Sequence, residues 1–138
     1  MLYPGVPRLH FQTIAPFEPI HIKGVEVIPL QVMHGALPIL GFRIGQLGFI
    51  TDMLTAPEET YEALRGIDTL VVNGLRPKPH GSHQTLDDAI AFARAVGARG
   101  TYLIHMSHDA GLHAETSAKL PAHIHLAYDG LQIEIDNK

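Results

Sequence analysis

The stretch TLDDAIAFARAVGARGTYLIH, residues 85–105, combines the start and end signals of a helix with a strand that follows at once. Thr85 is a favourable N-cap residue, two aspartates lie in the first turn, and Gly97 is a typical helix terminator. The apolar residues between them recur on one helical face: Ala89, Ile90, Phe92, Ala93 and Val96. The last seven residues, 99–105, have the composition of a buried strand. The stretch therefore predicts a helix that leads directly into a sheet.

The segments before this unit predict more strands and one more helix. IDTLVVNGL (67–75) is a continuous apolar run, as expected for a strand buried on both faces. APEETYEALRG (56–66) places a proline and two glutamates where a first helical turn favours them. Two hairpins are predicted upstream, one turning at Lys23-Gly24 and one at Gly45-Gln46. Their predicted strands are Ile20–Ile22 and Val25–Met33 in the first hairpin, and Phe42–Ile44 and Leu47–Thr51 in the second. Strands that form hairpins and also alternate with helices indicate an α/β fold with a mixed sheet.

The two ends of the chain complete this picture. Residues 1–19 are rich in proline and aromatic residues and predict an irregular lead-in. HAETSAKL (113–120) predicts a short helix, and IHLAYDGLQIEI (124–135) predicts a closing hairpin that turns at Asp129-Gly130. Neither a tandem repeat nor a linker divides the sequence, so a single domain over residues 1–138 is expected.

Composition restricts the classes of function. The formal net charge is −4 without a long run of either sign, which argues against a nucleic-acid or anionic-membrane surface. No apolar run approaches the roughly 20 residues of a membrane span, and the first residues lack the features of a signal peptide. Cysteine is absent, which excludes disulfides and thiolate metal sites and fits a cytoplasmic location. Ten histidines are an unusually large number for 138 residues.

Three of the predicted strands end on a possible metal ligand. VIPLQVM leads into His34, GFIT leads into Asp52, and TYLI leads into His105. Functional sites of α/β folds gather at the carboxyl ends of strands, because the sheet fixes the side chains while the loops leave room for a ligand. Imidazole nitrogen and carboxylate oxygen suit Zn²⁺, Mn²⁺ or Fe²⁺. The same residues also occur as turn, cap or exposed positions at strand ends, and the spacing alone leaves both explanations open.

Several further polar residues lie near these strand ends. The loop RPKPHGSH contains Arg76, His80 and His83, and His108 follows His105 by three residues. The two loop histidines are explained equally well as solvent-exposed positions, and Arg76 either holds a phosphate or pairs with a carboxylate. The remaining histidines are assigned no function: His10, His21, His113, His123 and His125.

Six ordered motifs resemble a known family. VMHG, GFRIG, ITD, NGLRPKPHGSHQTLDDA, YLIHMSHDAGLH and LAYDGLQIEI together resemble the C-terminal half of a metallo-β-lactamase-fold hydrolase. The most similar branch contains phosphoribosyl cyclic phosphate phosphodiesterases and is related to the tRNA 3′-processing nucleases. The resemblance implies half of an αββα sandwich, a mixed β-sheet with flanking helices. It also implies a metal-dependent phosphodiesterase activity on a small-molecule phosphodiester.

The resemblance assigns roles to individual residues. It makes His34 and His105 metal ligands and Asp52 the carboxylate that bridges two metal ions. It makes His83, and less specifically His80, the group that assists catalysis at the phosphate. His108 matches a position that recurs in the family without an assigned role and is a candidate for orienting a ligand, while Arg76 is a substrate-binding candidate from its place in the loop. Two positions depart from the family pattern, namely Ile104, where threonine often occurs, and Asn73-Gly74, where an acidic residue and alanine are frequent.

One family signature, His-x-His-x-Asp-His, does not occur in this sequence. In full-length family members it lies in the preceding half and supplies most ligands of the first metal ion. The complete fold holds two ions of zinc, manganese or iron, whereas three ligand side chains here suffice for one at most. We therefore expect an incomplete hydrolase, inactive alone, that pairs with a missing N-terminal half or with a second copy. The alternative is a non-catalytic remnant or interaction module that keeps the fold and pairs through its exposed sheet.

Overall fold

The computed structural model describes residues 4–74, 85–104 and 120–135. These residues form one seven-stranded sheet and two helices. In chain order these elements are β1 (Ile20–Ile22), β2 (Val25–His34), β3 (Leu37–Ile44), β4 (Leu47–Ile50), α1 (Glu58–Leu64), β5 (Thr69–Asn73), α2 (Leu86–Val96), β6 (Gly100–Ile104) and β7 (Ile124–Leu126).

The sheet has two halves with different strand directions. Strands β1 to β4 form an antiparallel meander, whereas β4 to β7 are parallel to one another. The order in the sheet follows the order in the chain. Parallel neighbours need a crossover, and α1 and α2 supply the β4–β5 and β5–β6 crossovers. Because such crossovers are right-handed and run in the same direction here, both helices lie on one face of the sheet.

Helix α2 shows why its sequence signals were specific. The Thr85 hydroxyl accepts a hydrogen bond from the Asp88 main-chain N–H at 3.1 Å, and the Asp88 carboxylate accepts from the Thr85 N–H at 3.2 Å. This reciprocal pair satisfies two backbone donors at the start of the helix. Gly97 ends the helix in the left-handed conformation (φ 71°), where a side chain would be strained. The two helices meet where the rings of Tyr61 and Phe92 lie 5.0 Å apart.

The core lies between the helices and one sheet face. Its fully buried members include Leu30 and Val32 of β2, Leu70 and Val72 of β5, and Leu103 of β6. In the register of the sheet these strand residues share one face, since Val72 pairs with Leu103 and Leu70 with Thr101. The helices contribute Leu64, Phe92 and Val96 to the same cluster.

The opposite face of the sheet, here called the open face, carries a continuous row of apolar and aromatic residues. The register aligns Phe42, Phe49, Val71, Tyr102 and His125 across five strands. Phe49 is 40% exposed, and the Tyr102 and His125 rings stack at 5.2 Å. None of these five side chains belongs to the core cluster. The fold is therefore one layer of sheet and one layer of helices with an apolar second sheet face.

Most of the predicted elements are confirmed. Both hairpins, both helices of the central region, the buried β5 and the mixed sheet are present, and described residues 4–19 form neither helix nor strand. β3 is longer than predicted because it pairs with β2 along eight positions, from Val27↔Ile44 to His34↔Leu37. The predicted helix over 113–120 lies almost wholly outside the described residues.

The predicted closing hairpin is wrong. A turn is present, with a hydrogen bond from the Leu131 N–H to the Tyr128 carbonyl at 3.1 Å. Residues 131–135 nevertheless form no strand, and β7 pairs in parallel with β6 instead. Burial does alternate along LQIEI, as the sequence pattern predicts. A strand also needs a neighbouring strand to pair with, and β7, at only three residues, is a short partner.

No helix in the described part of the chain is long and apolar enough to span a bilayer.

Close packing between β3 and β4 makes Gly41 sensitive to substitution. A Cβ atom at Gly41 would lie 2.8 Å from Ile50 Cγ1 and 3.2 Å from the Phe49 carbonyl oxygen. Ile50 is buried and stiff at χ1, so it cannot move aside without strain. We expect Gly41→Ala to lower the free energy of unfolding by about 1–3 kcal/mol, measured by urea denaturation.

Gly74 provides the matched control for this prediction. A Cβ atom there meets only ordinary contacts, at 3.4 Å from Leu103 Cδ1 and 3.6 Å from Ala89 Cβ. Gly74→Ala is therefore expected to change the free energy of unfolding by less than about 0.5 kcal/mol. An equally small change in the free energy of unfolding of the two variants would show that the close approach at Gly41 is relieved by backbone movement.

Candidate metal centre

Four strands place their carboxyl ends at one edge of the sheet. β4, β5 and β6 are parallel, and β2 runs in the same direction because it is antiparallel to β3, which is antiparallel to β4. His34 is the last residue of β2, and Asp52 follows β4 by two residues. Asn73 and Ile104 end β5 and β6 and are paired in register. The edge therefore gathers three of the strand ends that the sequence singled out.

His34 contacts the main chain of Asp52. Its ring nitrogen Nδ1 lies 3.0 Å from the Asp52 carbonyl oxygen. A carbonyl oxygen can only accept a hydrogen bond, so Nδ1 carries the hydrogen in this contact. In the neutral imidazole the lone pair is then on Nε2, which is the nitrogen able to bind a metal ion in this tautomer.

The Asp52 side chain is oriented by its neighbour in the chain. The Thr51 hydroxyl lies 2.6 Å from Asp52 Oδ2 and donates to it. Both residues are half-buried. A hydroxyl that donates to a carboxylate restricts its rotation, which is what a ligand carboxylate requires.

The loop that carries Asp52 is fixed at several points. The Asn73 side-chain amide accepts from the Met53 N–H and donates to the Met53 carbonyl, both at 2.8 Å. Beyond Met53, the Leu54 N–H donates to the Met33 carbonyl at 2.7 Å, and the Met33 N–H donates to the Thr55 carbonyl at 2.8 Å. The Met53 side chain is buried in the core. Asp52 thus leaves the sheet on a loop that is held by β5 on one side and β2 on the other.

The structure brings together two of the three predicted ligands, His34 and Asp52. The third, His105, directly follows Ile104 at the same edge but lies outside the described residues. The other site candidates also lie outside the described residues: Arg76, His80, His83 and His108, together with the unassigned His113. Within residues 4–74, 85–104 and 120–135, no three histidine, aspartate or glutamate side chains form a group suited to a metal ion.

Four of the histidines left without a role lie elsewhere in the described structure, and one of them, His10, is exposed in the lead-in. His21 is 3.8 Å from Glu26 on the β1–β2 hairpin, where both side chains are exposed. His125 stacks on Tyr102 on the open face. His123 precedes β7 at the opposite end of the sheet from His34 and accepts at its carbonyl from the Thr101 N–H. These positions agree with their assignment as structural or exposed residues.

Sequence reasoning missed the residues that orient the two candidate ligands. Asn73 was noted only as a departure from a family pattern, and Thr51 was noted only as the end of a strand. A signal for Asn73 existed, since an amide at the end of an otherwise apolar, doubly buried strand needs hydrogen-bond partners. The identity of those partners depends on the path of the loop after β4, which the residue pattern does not contain.

A divalent metal ion fits the donors that the described residues provide. An imidazole nitrogen and a carboxylate are ligands that zinc, manganese and iron share, and here they belong to two residues joined by the contact of the His34 ring with the Asp52 main-chain carbonyl. Both donors are already oriented by a second group, His34 by a carbonyl and Asp52 by a hydroxyl. Such supporting hydrogen bonds are typical of metal ligands in proteins.

Comparison with solved structures gives the same fold. The chain superimposes on a diphosphatase of the PhnP family with a TM-score of 0.81 and 43% identity, over 85% of this chain and 46% of that chain. The metallo-β-lactamase fold protein YhfI from Bacillus subtilis matches with a TM-score of 0.65 at 17% identity, over 86% of this chain and 53% of that chain. The short form of human tRNase Z matches with a TM-score of 0.64 at 20% identity, over 85% of this chain and 46% of that chain. The chain thus spans about half the length of these structures.

Sequence comparison identifies the family. An octanoyltransferase from Porphyromonas gingivalis is 45% identical over 137 residues, which are 99% of this chain and 28% of that protein. The family model described as a β-lactamase superfamily domain matches residues 2–106. That match covers most of the chain, including β1 to β6 and the edge with His34 and Asp52. The chain therefore belongs to the β-lactamase superfamily and has part of the metallo-β-lactamase fold.

Proposed function

We propose that this chain supplies one part of the active site of a metal-dependent hydrolase that cleaves a phosphodiester or a diphosphate. The observation that carries the proposal is the contact of His34 Nδ1 with the main-chain carbonyl oxygen of Asp52 at 3.0 Å. It lies at the edge where β6 ends, one residue before His105 in the sequence. Three donors of the type that divalent metals prefer then follow three strands of one rigid sheet.

The proposed substrate class rests on similarity to the diphosphatase of the PhnP family, at 43% identity. When bound, a divalent ion in such a site polarises the phosphoryl oxygen and lowers the pKa of water. In our proposal His34, Asp52 and His105 hold the ion. His83, with His80 as the weaker candidate, donates a hydrogen bond or proton at the phosphate, and Arg76 pairs with its charge. His108 orients a ligand.

The number of ligands makes the proposed site dependent on a partner. A catalytic metal commonly takes three protein ligands and leaves one position open, so His34, Asp52 and His105 suffice for one ion. A second ion needs ligands from a segment that carries a signature such as His-x-His-x-Asp-His. In our proposal that segment also covers the open face, where Phe49 is 40% exposed in a row of apolar residues.

A second candidate function is a non-catalytic interaction module that uses the open face to pair and performs no hydrolysis. The apolar row through Phe42, Phe49 and Tyr102 supports this candidate equally well. The relative named octanoyltransferase, of which this chain matches 28%, makes an acyl thioester a substrate class to be tested beside phosphate esters.

Metal titration of the purified chain, with and without a segment carrying the missing signature, tests the proposal. We expect weak binding of at most one Zn²⁺ or Mn²⁺ by the chain alone, and no measurable hydrolysis. With the segment fused or co-expressed we expect two ions per complex and hydrolysis of bis(p-nitrophenyl) phosphate. We also expect the segment to prevent the chain from pairing with a second copy through the open face, which sedimentation measures. Calorimetry and elemental analysis measure the stoichiometry.

The substrate panel distinguishes the candidates. A diphosphate-bridged nucleotide, a ribose cyclic phosphate and an octanoyl thioester are assayed beside the chromogenic diester. Cleavage of the thioester alone would replace phosphate chemistry by acyl chemistry at the same site. Tight binding of two ions by the chain alone would contradict its dependence on a partner. A complex that covers the open face but binds no metal would favour the interaction module.

A further inference from the structure

Asn73 has an environment that requires an explanation. It ends β5, a strand in which all five residues are buried, and its own side chain is 0% exposed. Burying an amide without hydrogen-bond partners is unfavourable by several kcal/mol on transfer scales. Asn73 satisfies this requirement through the main chain of Met53, to which it makes two hydrogen bonds of 2.8 Å.

The two bonds need a side chain that both donates and accepts. Asn73 Oδ1 accepts from the Met53 N–H, and Asn73 Nδ2 donates to the Met53 carbonyl. An ionised carboxylate can only accept, and an apolar residue of the same size can do neither. The amide at this position is therefore matched to the loop it holds.

The Met53 N–H belongs to the same peptide group as the Asp52 carbonyl. That peptide is trans, since the described chain has no cis peptide bond, so its N–H and its carbonyl point in opposite directions. Asn73 Oδ1 holds the N–H, and His34 Nδ1 holds the carbonyl at 3.0 Å. A single rigid plane thus connects the Asn73 amide to the His34 ring.

Hydrogen bonds in such a chain strengthen one another. An acceptor on the N–H increases the negative charge on the carbonyl oxygen of the same peptide, which makes that oxygen a better acceptor for His34 Nδ1–H. A stronger bond at Nδ1 favours the tautomer with the lone pair on Nε2 and fixes the orientation of the ring.

We propose that Asn73 is a positioning residue of the metal centre, acting through the peptide that joins Asp52 to Met53 on the His34 ring. It holds His34 in the Nδ1–H tautomer and fixes the point from which the Asp52 side chain leaves the loop. This inference rests on the proposed function only for its consequence, metal affinity. The tautomer of His34 is measured on the chain without a metal ion, so this part of the inference does not depend on metal binding.

Two variants of the 138-residue chain remove the connection. Asn73→Leu keeps the size and loses both hydrogen bonds, whereas Asn73→Ser is smaller and its hydroxyl is too short to reach both groups. We expect ¹⁵N spectra of the His34 ring to show the Nδ1–H tautomer in the original chain and a mixture of tautomers in both variants. Asn73→Asp keeps the acceptor for the Met53 N–H and is expected to retain the original tautomer. If Asn73→Leu does not fold, the serine and aspartate variants still give opposite expectations.

Thr69→Val is the matched control for a loss of stability alone. Thr69 begins the same strand, is also buried, and donates to the Asp68 carboxylate at 3.1 Å, at the opposite edge of the sheet. Thr69→Val is expected to lower stability without changing the His34 spectrum. In Zn²⁺ titrations with a competing chelator, we expect about 10-fold or greater loss of affinity in the leucine and serine variants and less than about 2-fold in Thr69→Val.

The outcomes separate this inference from the proposed function. An altered His34 tautomer in the Asn73 variants, together with no zinc binding either by the chain alone or with the added segment, would support the positioning role and contradict the metal proposal. The original chain could also bind zinc while Asn73→Leu and Asn73→Ser keep the same His34 tautomer and the same zinc affinity. That result would overturn the positioning role and leave the metal proposal intact. A change in the tautomer that Thr69→Val reproduces would show a general effect of stability and would also overturn it.

Discussion

Replacing Asp52 by asparagine is expected to abolish phosphodiester hydrolysis by the complex of this chain with a segment that carries the missing ligands. The substitution keeps the size and the acceptor for the Thr51 hydroxyl, which lies 2.6 Å from Oδ2. It removes the negative charge, and an amide is a much weaker ligand for zinc or manganese than a carboxylate. We expect kcat/KM to fall by at least about 10³-fold, which corresponds to roughly 4 kcal/mol of transition-state stabilisation.

Asp68→Asn is the matched control for Asp52→Asn. Asp68 precedes β5 at the opposite edge of the sheet, where its carboxylate lies 3.3 Å from Arg99 Nη1 and accepts from the Thr69 hydroxyl at 3.1 Å. The same chemical change there is expected to leave kcat/KM within about 2-fold, because Asp68 lies away from the candidate site and its ion pair with the exposed Arg99 contributes less than about 1 kcal/mol. Steady-state kinetics and metal content are measured on both variants. Retention of more than a tenth of the activity in Asp52→Asn would contradict a ligand role for Asp52.

The parts of the fold that could be predicted from the sequence are those fixed by local interactions. The Thr85 capping box and the left-handed Gly97 define α2 without reference to the rest of the molecule. The turns at Lys23-Gly24 and Gly45-Gln46 similarly define the two hairpins. The length of β3 and the fate of residues 131–135 were not predicted, because both depend on which strand lies beside them. Period 2 in a sequence shows that a segment can form a strand, and only the sheet decides whether it has a neighbour.

The candidate site also contains residues that the sequence could indicate and residues whose role depends on the tertiary structure. His34 and Asp52 were proposed because each lies at the end of a strand, and strands that run in the same direction bring their ends to one edge. The roles of Asn73 and Thr51 could not be predicted in this way. Asn73 acts on the loop after β4, which is 20 residues away in the chain, and its effect on His34 passes through a main-chain group. Hydrogen bonds to the backbone leave little trace in residue type, so the residues that orient a ligand are harder to find than the ligand itself.

Leu103→Ala is expected to produce the largest loss of stability among single substitutions considered for this chain. Leu103 is fully buried in β6, where the register places it between Val72 of β5 and Leu126 of β7. Removing its side chain leaves a cavity beneath α2 that the surrounding strands can fill only in part. We expect a loss of about 2–5 kcal/mol in the free energy of unfolding. That is a large fraction of the roughly 5–15 kcal/mol by which a domain is stable.

Leu37→Ala is the matched control, because it removes the same atoms from a side chain that is 59% exposed at the start of β3. It is expected to change the free energy of unfolding by less than about 0.5 kcal/mol. The free energy of unfolding of both variants is measured by urea denaturation, and the m-value is expected to stay unchanged. Because Leu103 lies two residues before His105, the loss of its side chain should also displace the end of β6. We therefore expect weaker metal binding in the proposed complex with the added segment. A Leu103→Ala chain as stable as Leu37→Ala would mean that β6 is not part of the cooperative core, and the edge on which the proposed site depends would then lack a rigid support.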